Sequence, residues 1–484
     1  MSQELEQLVV QHDQDLRCAL QVIDRNAQGV CFAIKDGRVV GVLTDGDIRR
    51  ALINGAGLEC FVSEVMRKDF KWLPCDATTN EIQNTLSNKI RHIPLLGKDS
   101  QLVDFACAYH FHNIPVAQPE LHGNELAYVT DCIQSGWVSS QGKYVNKFEY
   151  EFSEYINATY TIAVSNGTVA LHLALLALGV GPGDEVLVPD LTFAASVNAV
   201  IYVGAIPVLV DVDPDTLCID PLAAAELVTS KTRAIIPVHL YGHPADMDAI
   251  IVLASKHNLL VIEDCAEAVG SRINNNHVGT FSDAAIFSFY GNKTITTGEG
   301  GMLVFKDAGI HKRAKMLRDH GMDPERRYWH VEVGYNYRLT NVQAAIGVAQ
   351  LERANDFVEK KRWIAKQYTE RLDGILNLKL PGEYGNVVNS YWLFTIELIN
   401  SLAGDRDELL RRLTLNGIEA RQVFIPMHDM PPYKQYSRNA AGYPVSSRVS
   451  RSSISLPSSV ALSEFEIESV CHVIEEIDQR ITLD

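Results

Sequence analysis

Two residues of the sequence stand where a side chain can do chemistry on an aldehyde cofactor. Lys293 follows the apolar stretch AAIFSF (284–289), and Asp264 closes the apolar stretch LLVIED (259–264). A lysine amine forms a covalent bond with an aldehyde. A carboxylate can pair with a protonated pyridine nitrogen and keep the ring an electron sink. A solvated turn lysine and a helix-capping aspartate are the ordinary fates of these residue types, so the chemistry depends on whether the fold brings the two together.

A third feature is typical of an anion site. The segment SNGTVALHLAL (165–175) changes from an apolar stretch to a helical pattern at Asn166-Gly167-Thr168. A helix that begins at a glycine turn exposes backbone N–H groups, and its dipole favours a negative charge there. Ser288 is a further candidate ligand of a phosphate oxygen. A simple N-cap accounts equally well for Asn166.

The elements that would position these residues alternate between apolar stretches and helical segments from about residue 113 onward. Near-continuous apolar stretches of this kind predict a mostly parallel sheet that is covered on both faces. Such sheets bind ligands beyond the carboxyl ends of their strands, which is where Asp264 would lie. The segment 168–179 is apolar nearly all round and predicts a buried helix. Beyond about residue 360 we expect a smaller α+β region with a strand near 391–398 and a final helix. The predicted strands of the main sheet are 161–166, 185–190, 207–212, 234–238, 259–264, 284–289 and 301–305.

The first 110 residues have a different, repeated pattern. Residues 29–35 and 38–44 predict two strands joined at Asp36-Gly37, a strong hairpin signal, and a helix follows over 47–55. A second copy begins at 62–66, continues as a helix over 78–89, and ends with strand, turn and strand over 92–106. A repeat of this size predicts two similar small units packed together.

Composition excludes several classes of protein. The 484 residues carry a formal net charge of -17, whereas a sequence-independent nucleic-acid binder needs a basic surface. The nine cysteines show no metal-ligand spacing, so no metal site is expected. The N-terminal segment is not a signal peptide, and the sequence has no apolar run of membrane-spanning length. We therefore expect a cytosolic protein with neither nucleic-acid nor membrane partners.

Six longer segments resemble the sugar aminotransferase family, which belongs to fold type I of the pyridoxal-phosphate enzymes. The resemblance runs from about residue 113 to the C-terminus, and several long motifs occur in the family's order. It implies a mostly parallel seven-stranded sheet between helices, with a large domain at 111–360 and a small domain at 361–484. The matching segments are GWVSSQGKYVNKFE (136–149), 164–196, IPVHLYG (236–242), VIEDCAEAVGS (261–271), SFYGNKTITTGEGGM (288–302) and GYNYRLTNVQAAIG (334–347).

The resemblance also implies roles for single residues around the cofactor ring. Lys293 matches the lysine that bonds to pyridoxal phosphate and moves a proton during the reaction, and Asp264 matches the partner of the pyridine nitrogen. Phe193, in PDLTFAAS, matches the aromatic residue that stacks on the ring. Glu267 occupies a position where many relatives place glutamine or histidine against the ring.

The cofactor phosphate and the substrate involve further residues. Gly167, Thr168 and Ser288 match phosphate ligands, and Asn336 matches the asparagine that reaches the phosphate from the neighbouring subunit. The family's dimers build each active site from two chains, so a homodimer is expected. The residues in segments that border the sugar-nucleotide pocket are Trp137, Lys143, His320, Tyr335 and Arg338.

The implied reaction takes the amino group of glutamate and places it on a nucleotide-linked 4-keto-6-deoxy sugar. The resemblance favours members that act on GDP-4-keto-6-deoxymannose and supply amino sugars for surface polysaccharides such as O-antigen. A UDP- or dTDP-linked keto-sugar, including a 3-keto-sugar, is an alternative substrate. Dehydratases of the same fold have histidine in place of the lysine, and Lys293 argues against that branch. A nucleotide sensor with an inert aminotransferase-like body is the alternative from a different class.

The N-terminal region resembles a pair of CBS domains. The motif GVLTDGDIRRAL (41–52) and the entry VSEVM (62–66) carry this resemblance. It implies that Thr44 and Asp47 can contact the ribose and phosphates of an adenine or guanine nucleotide. The second copy, LVDFACAYH, lacks the Thr-x-x-Asp pattern, so at most one such site is expected. A structural or dimerising appendage explains the same residues.

Overall fold

A computed structural model describes residues 5, 7–26, 29–75, 77, 81–82, 85–86, 90, 92–107, 114–402 and 404–483. The described residues form two compact units. The N-terminal unit extends to residue 113 and includes 414–417, and the main unit comprises 114–413 and 418–484. Within the described part of the chain, every helix is too short or too polar to cross a membrane.

The N-terminal unit contains two three-stranded sheets of the same design. In the first, the strand Val9–Gln11 pairs in parallel with Val30–Lys35, which pairs antiparallel with Arg38–Thr44. In the second, Leu73–Pro74 is parallel to His92–Leu96, which is antiparallel to Leu102–Cys107. The shared order and pairing confirm the predicted internal repeat. Most of the helix predicted at 78–89 lies outside the described residues.

The first copy has the predicted hairpin and helix. Asp36 and Gly37 both have positive φ, 50° and 78°, which suits the tight turn that right-twisted strands require. Apolar side chains of both copies pack together in one cluster that includes Phe32, Leu96 and Leu102. The helices of this unit whose bounds fall within the described residues are Leu16–Asn26, Asp45–Ile53 and Val62–Val65.

The main unit is built on a seven-stranded sheet. All the predicted strands are present, and the antiparallel strand Gly301–Phe305 sits between two strands that run in the common direction. The remaining pairs are parallel, as expected for a fold type I aminotransferase. In spatial order the strands are Tyr160–Val164, Gly301–Phe305, Ala284–Ser288, Leu260–Asp264, Thr232–Ile235, Glu185–Pro189 and Ile206–Val210.

Helices cover this sheet, and the predicted apolar helix is buried. It spans Gly167–Ala177, and all but three of its residues are buried, because it packs between the sheet and other helices. The other helices of the unit are Glu125–Ser135, Lys143–Ile156, Ala194–Tyr202, Pro221–Glu226, Met247–His257, Ala308–Arg318, Asn341–Leu351, Ala354–Leu372, Arg406–Leu415, Pro444–Ser452 and Glu464–Leu483.

Two smaller sheets complete the unit. A four-stranded antiparallel sheet has the order Leu378–Lys379, Phe394–Leu398, Ser453–Leu456 and Arg421–Gln422. It packs in one apolar cluster with the helix Ala354–Leu372 and the final helix, which confirms the α+β character predicted for this region. A three-stranded sheet joins Asn276–His277, Arg272–Ile273 and Val387–Val388.

Candidate active site

A cavity of about 820 Å³ opens beyond the carboxyl ends of the strands Leu260–Asp264 and Ala284–Ser288. Asp264 and Ser288 are the last residues of these two parallel strands, and Lys293 lies in the turn that follows the second. All three residues line the cavity. The fold therefore brings together the groups that the sequence places far apart.

The Lys293 amine is held between an acid and an aromatic ring. Its Nζ lies 3.3 Å from Glu267 Oε1 and 3.6 Å from the centroid of the Trp392 ring. The Lys293 side chain is only 13% exposed. A cation over an indole face at this distance is attracted by the ring quadrupole, so the free amine has a defined position at the wall of the cavity.

Asp264 is buried and held by two donors. The Ser196 hydroxyl donates to Oδ2 at 2.8 Å, and the Ala266 backbone N–H donates to Oδ1 at 3.1 Å. Burial raises the pKa of Asp264 above its ordinary value, while these hydrogen bonds and the nearby charge of Lys293 act in the opposite direction. A carboxylate in this setting gains from a positively charged partner in the cavity.

Glu267 connects Lys293 to the neighbouring loop. Its Oε2 accepts a hydrogen bond of 2.9 Å from the Tyr241 backbone N–H. Burial raises the pKa of Glu267, and the charge of Lys293 opposes that rise. One oxygen of Glu267 thus contacts the Lys293 amine, and the other accepts from the backbone of the neighbouring loop.

The anion site predicted at the start of the helix Gly167–Ala177 has the required shape. The Asn166 side chain caps the helix by accepting from Val169 N–H. A Cβ on Gly167 would lie 3.0 Å from the Ser288 Cβ and 3.3 Å from its hydroxyl, so a larger residue at this position would crowd Ser288. Gly167, Thr168 and Ser288 line the cavity together. N–H groups at a helix start and a hydroxyl beside them fit a phosphate.

Phe193 also lines the cavity, where its ring is 59% exposed. Its centroid lies 5.9 Å from that of Phe424. With the amine of Lys293, the carboxylate of Asp264 and the glycine cradle, this aromatic surface fits a phosphorylated aldehyde ring. The residues present are therefore suited to pyridoxal phosphate.

The other predicted site residues are not among those that line this cavity in the described chain. Trp137 is half exposed, and Lys143 pairs with Asp131 at 2.8 Å. Arg338 donates to Ser140 at 3.0 Å and also pairs with Asp319. Their predicted roles stay predictions.

Tyr335, His320 and Asn336 lie close to one another in the same part of the unit. Tyr335 stacks on Tyr337 with a centroid separation of 4.8 Å. The His320 backbone N–H donates to the Tyr335 carbonyl at 2.8 Å. Asn336 is exposed, as a residue that contacts a second subunit would be in a single chain.

Thr44 and Asp47 form a capping box at the start of the helix Asp45–Ile53. Asp47 accepts from the Thr44 hydroxyl at 2.6 Å, from Arg50 at 2.6 Å and from Arg67 at 2.8 Å. Burial raises the pKa of Asp47, but the bonds from Thr44, Arg67 and Arg50 outweigh it and leave the pKa below its ordinary value. A nucleotide role for these two residues stays a prediction, and Asp47 would have to exchange donors to reach a ribose.

Several residues of the cavity were not singled out from the sequence. Ser196, which holds Asp264, lies within a segment that carries the family resemblance and could have been found there. Trp392, Tyr241 and Arg421 line the same cavity. Trp392 and Arg421 come from the small sheet region, and no spacing in the sequence connects them to Lys293.

Two family models match the sequence. The model described as the DegT/DnrJ/EryC1/StrS aminotransferase family matches residues 119–475, and the CBS domain model matches residues 3–54. The chain is 47% identical over 363 residues to GDP-perosamine synthase of Escherichia coli O157:H7, covering 75% of this chain and 98% of that protein. It is 44% identical over 370 residues to GDP-perosamine synthase of Caulobacter vibrioides, covering 75% and 98%.

Solved structures show the same architecture. DesV of S. venezuelae superposes with a TM-score of 0.70 at 34% identity, covering 73% of this chain and 94% of that one. The sugar aminotransferase Spr1654 of Streptococcus pneumoniae, solved in a PLP form, superposes with a TM-score of 0.73 at 27% identity, covering 76% and 100%.

Proposed function

The chain belongs to the DegT/DnrJ/EryC1/StrS aminotransferase family, and from that premise we propose that it moves the amino group of glutamate to GDP-4-keto-6-deoxymannose. The protein is a pyridoxal-phosphate-dependent sugar aminotransferase with a CBS domain at its N-terminus. Support for the acceptor comes from the GDP-perosamine synthases, which match this chain over nearly their whole length.

The observation that carries the assignment of roles is the convergence of Lys293, Asp264, Gly167 and Ser288 on one cavity. The cofactor requires three groups: a lysine amine for its aldehyde, a buried carboxylate for its ring nitrogen and an anion site for its phosphate. A nucleotide sensor with an inert aminotransferase-like body would not need these three groups in one cavity.

We assign the following work to these residues. When bound, pyridoxal phosphate supplies an electron sink for the carbon that loses its proton. The Lys293 amine removes that proton and delivers it again, and general acid–base transfer of this kind contributes roughly 10²–10⁴-fold. Asp264 would pair with the ring nitrogen and keep it protonated. Because Ser196 and the Ala266 N–H already fix its carboxylate, little reorganisation is needed as charge develops.

Other residues that line the same cavity are candidates to contact the phosphate and the ring of the cofactor. Gly167, Thr168 and Ser288 would bind the phosphate, and Phe193 would pack on the ring. Glu267 faces the Lys293 amine, and we place it at the edge of the ring. Trp137, Lys143, His320, Tyr335 and Arg338 would bind the sugar nucleotide, and Asn336 would reach the phosphate of a partner subunit, so we propose a homodimer with shared sites.

The domain division also belongs to the proposal. The CBS-pair-like domain covers 1–110, the cofactor-binding domain covers 111–360, and the small domain covers 361–484. An adenine or guanine nucleotide is the ligand class proposed for the first of these.

A donor and acceptor screen tests the proposal. Purified protein with pyridoxal phosphate is mixed with glutamate and, in parallel, with GDP-, UDP- and dTDP-linked 4-keto-6-deoxy sugars and a 3-keto-sugar, and mass spectrometry detects the amino sugar. We expect product and 2-oxoglutarate with GDP-4-keto-6-deoxymannose. Faster turnover of a UDP- or dTDP-linked sugar would reject the proposed acceptor and leave the aminotransferase intact. Aspartate or alanine in place of glutamate controls for donor choice.

A further inference from the structure

A second, much smaller cavity lies beside the turn that carries Lys293. Its volume is about 10 Å³, which is room for one water molecule. Asn292 and Lys293 line both this cavity and the large one, so the turn lies between the two. Thr294 and Lys361 also line the small cavity. An occupant of this cavity can therefore contact the residues on either side of Lys293.

Two buried polar atoms of the turn have no hydrogen-bond partner among the described residues. They are Oδ1 of Asn292 and Oγ1 of Thr294, and Thr294 is only 7% exposed. A buried polar atom without a partner destabilises a protein, so such atoms are usually paired with the chain or with ordered water. Because both residues line the same small cavity, one occupant can serve both atoms.

Lys361 supplies a third polar group. It lies on the helix Ala354–Leu372 and is 4% exposed. Its amine donates to the Trp392 carbonyl at 3.1 Å and to the Ser458 carbonyl at 2.8 Å, which uses two of the three N–H donors of an ammonium. The remaining position, an N–H of the ammonium or the lone pair of the neutral amine, is left for an occupant of the cavity.

The three groups together select the kind of occupant. The amide oxygen of Asn292 only accepts hydrogen bonds, so the occupant must donate one. The ammonium of Lys361 only donates, so the occupant must also accept, and the Thr294 hydroxyl can do either. A metal cation cannot accept a hydrogen bond, and a simple anion cannot donate one to the amide oxygen. Glu120, an acid of the same lining, has the guanidinium of Arg353 at 3.9 Å. Water meets both requirements at the size of this cavity.

We propose that the small cavity binds one structural water, which joins Asn292 and Thr294 to Lys361 and so fixes the turn that carries Lys293. A second connection reinforces the first, because Trp392 Nε1 donates to the Asn292 carbonyl at 2.8 Å while Lys361 binds the Trp392 carbonyl. The consequence for turnover rests on the proposed function, since Lys293 must leave and rejoin the cofactor from a backbone that does not shift. The water site itself does not depend on that function.

A crystal structure of the full-length protein, at a resolution that shows ordered waters, tests the site. We expect a density peak at about 2.6–3.2 Å from Asn292 Oδ1, Thr294 Oγ1 and Lys361 Nζ. Thr294→Val removes the hydroxyl and should lower the occupancy of this peak, whereas Thr294→Ser keeps the hydroxyl and should retain it. No peak in the wild-type map, a peak that is unchanged in Thr294→Val, or a peak that refines as an ion would overturn the inference.

Kinetics of the same variants test the effect on the turn. A misplacement of about 1 Å can cost about 100-fold in rate, so a smaller shift in Thr294→Val should lower kcat roughly tenfold and leave KM for the sugar nearly unchanged. Thr294→Ser should restore kcat. Thr161→Val is the matched control, because Thr161 is also buried but its hydroxyl donates directly to the Glu149 carbonyl at 2.8 Å, and its kcat should equal that of the wild type.

Circular dichroism checks that each variant is folded, and the wild-type map decides the water site if Thr294→Val is not. A folded Thr294→Val with the kcat of the wild type would overturn the proposed role of the water in fixing the turn. A wild-type protein that shows the peak but has no aminotransferase activity would instead overturn the proposed function and leave the water site in place.

Discussion

Asp264 in the main unit and Asp47 in the N-terminal unit are both buried aspartates. They differ in how many hydrogen-bond acceptor positions of the carboxylate are left without a donor. A carboxylate offers about four acceptor positions. Asp47 receives the Thr44 hydroxyl and backbone N–H on one oxygen and two arginines on the other. Asp264 receives one hydroxyl and one backbone N–H and borders a large cavity.

The pKa values of the two carboxyls reflect this difference. Burial raises the pKa of both, yet hydrogen bonds reverse the effect only at Asp47. An acid that is already satisfied by its own chain stabilises the fold, whereas an acid left short of donors costs stability and gains when a ligand supplies a positive partner. The sequence motif alone does not separate these cases, because both residues lie near the point where a strand ends and a helical or turn segment begins.

The largest expected effect comes from removing the amine that gives the main cavity its chemistry. Lys293→Ala should abolish transamination and the yellow colour of the cofactor-loaded protein, since no other group is bonded to the aldehyde. Absorbance spectra and the glutamate assay measure this. Lys312→Ala, which removes an exposed lysine of the same unit, is the control and should behave as wild type. Steady turnover in the Lys293 variant would show that the main cavity does not depend on the Lys293 amine for its chemistry.

Asp264→Asn tests whether the charge of Asp264 serves the reaction, whereas the charge of Asp47 serves the fold. Loss of the charge that stabilises the ring proton should lower kcat at least about 100-fold while the protein stays folded. Steady-state kinetics with saturating cofactor measure the effect. Asp47→Asn in the N-terminal unit should leave kcat unchanged, and a comparable loss there would remove the distinction between the two aspartates.

Glu263 is a control next to Asp264 for the same experiment. It is fully buried and accepts from His239, Gly279, Phe281 and Ser282, so it resembles Asp47 in having its bonds filled. Glu263→Gln places an amide donor against these N–H groups and should cost about 3–5 kcal/mol of stability. The thermal midpoint should fall while the folded fraction still forms the yellow species.

Lys361 extends the comparison to a buried base. Burial lowers its pKa to about 7 from 10.5, so between these pH values the unfolded chain binds the additional proton. Stability should therefore rise with pH across this window by up to about 1.4 kcal/mol per pH unit. Unfolding midpoints of wild type and Lys361→Met at pH 7.5 and 9.5 measure this. Methionine should flatten the rise, and parallel pH dependences would contradict the account.

The smallest effect is expected at the N-terminal cap. Thr44→Val removes a capping side chain and should cost about 0.5–2 kcal/mol, read as faster amide hydrogen exchange in the helix Asp45–Ile53. Thr340→Val is the matched change, because Thr340 and Gln343 form a capping box in the main unit. If Thr44→Val left hydrogen exchange unchanged but removed binding of an adenine or guanine nucleotide, Thr44 would be a ligand contact and the comparison would fail.

The sequence predicted the elements of the fold better than their arrangement. Near-continuous apolar stretches identified the strands of the main sheet within three residues at either end, because strands of a sheet buried on both faces are apolar along most of their length. The strand Gly301–Phe305 lies between two strands that both run opposite to it. This position depends on tertiary packing and has no local signal in the sequence. The hairpin at Asp36-Gly37 was predictable because its turn needs residues that accept positive φ.

The site was predictable only in part for a similar reason. Lys293, Asp264 and Gly167 lie at the ends of elements whose geometry the sequence reveals. Trp392 and Lys361 come from segments far from Lys293 in the sequence. Trp392 contacts the Lys293 amine through the face of its ring, and Lys361 binds the backbone carbonyl of Trp392. Neither contact requires a residue spacing that could be recognised in the sequence. Asn336 and Arg338 lie apart from the cavity lining in a single chain, so their predicted roles depend on a second subunit.

The most direct measurement is the identity of the residue that carries the cofactor. Full-length protein loaded with pyridoxal phosphate is reduced with borohydride, digested, and analysed by mass spectrometry. We expect the yellow colour to bleach and a reduced cofactor adduct to form on Lys293, and prior conversion with glutamate should prevent the adduct. An adduct on another lysine, or none in protein that binds the cofactor, would contradict the central claim.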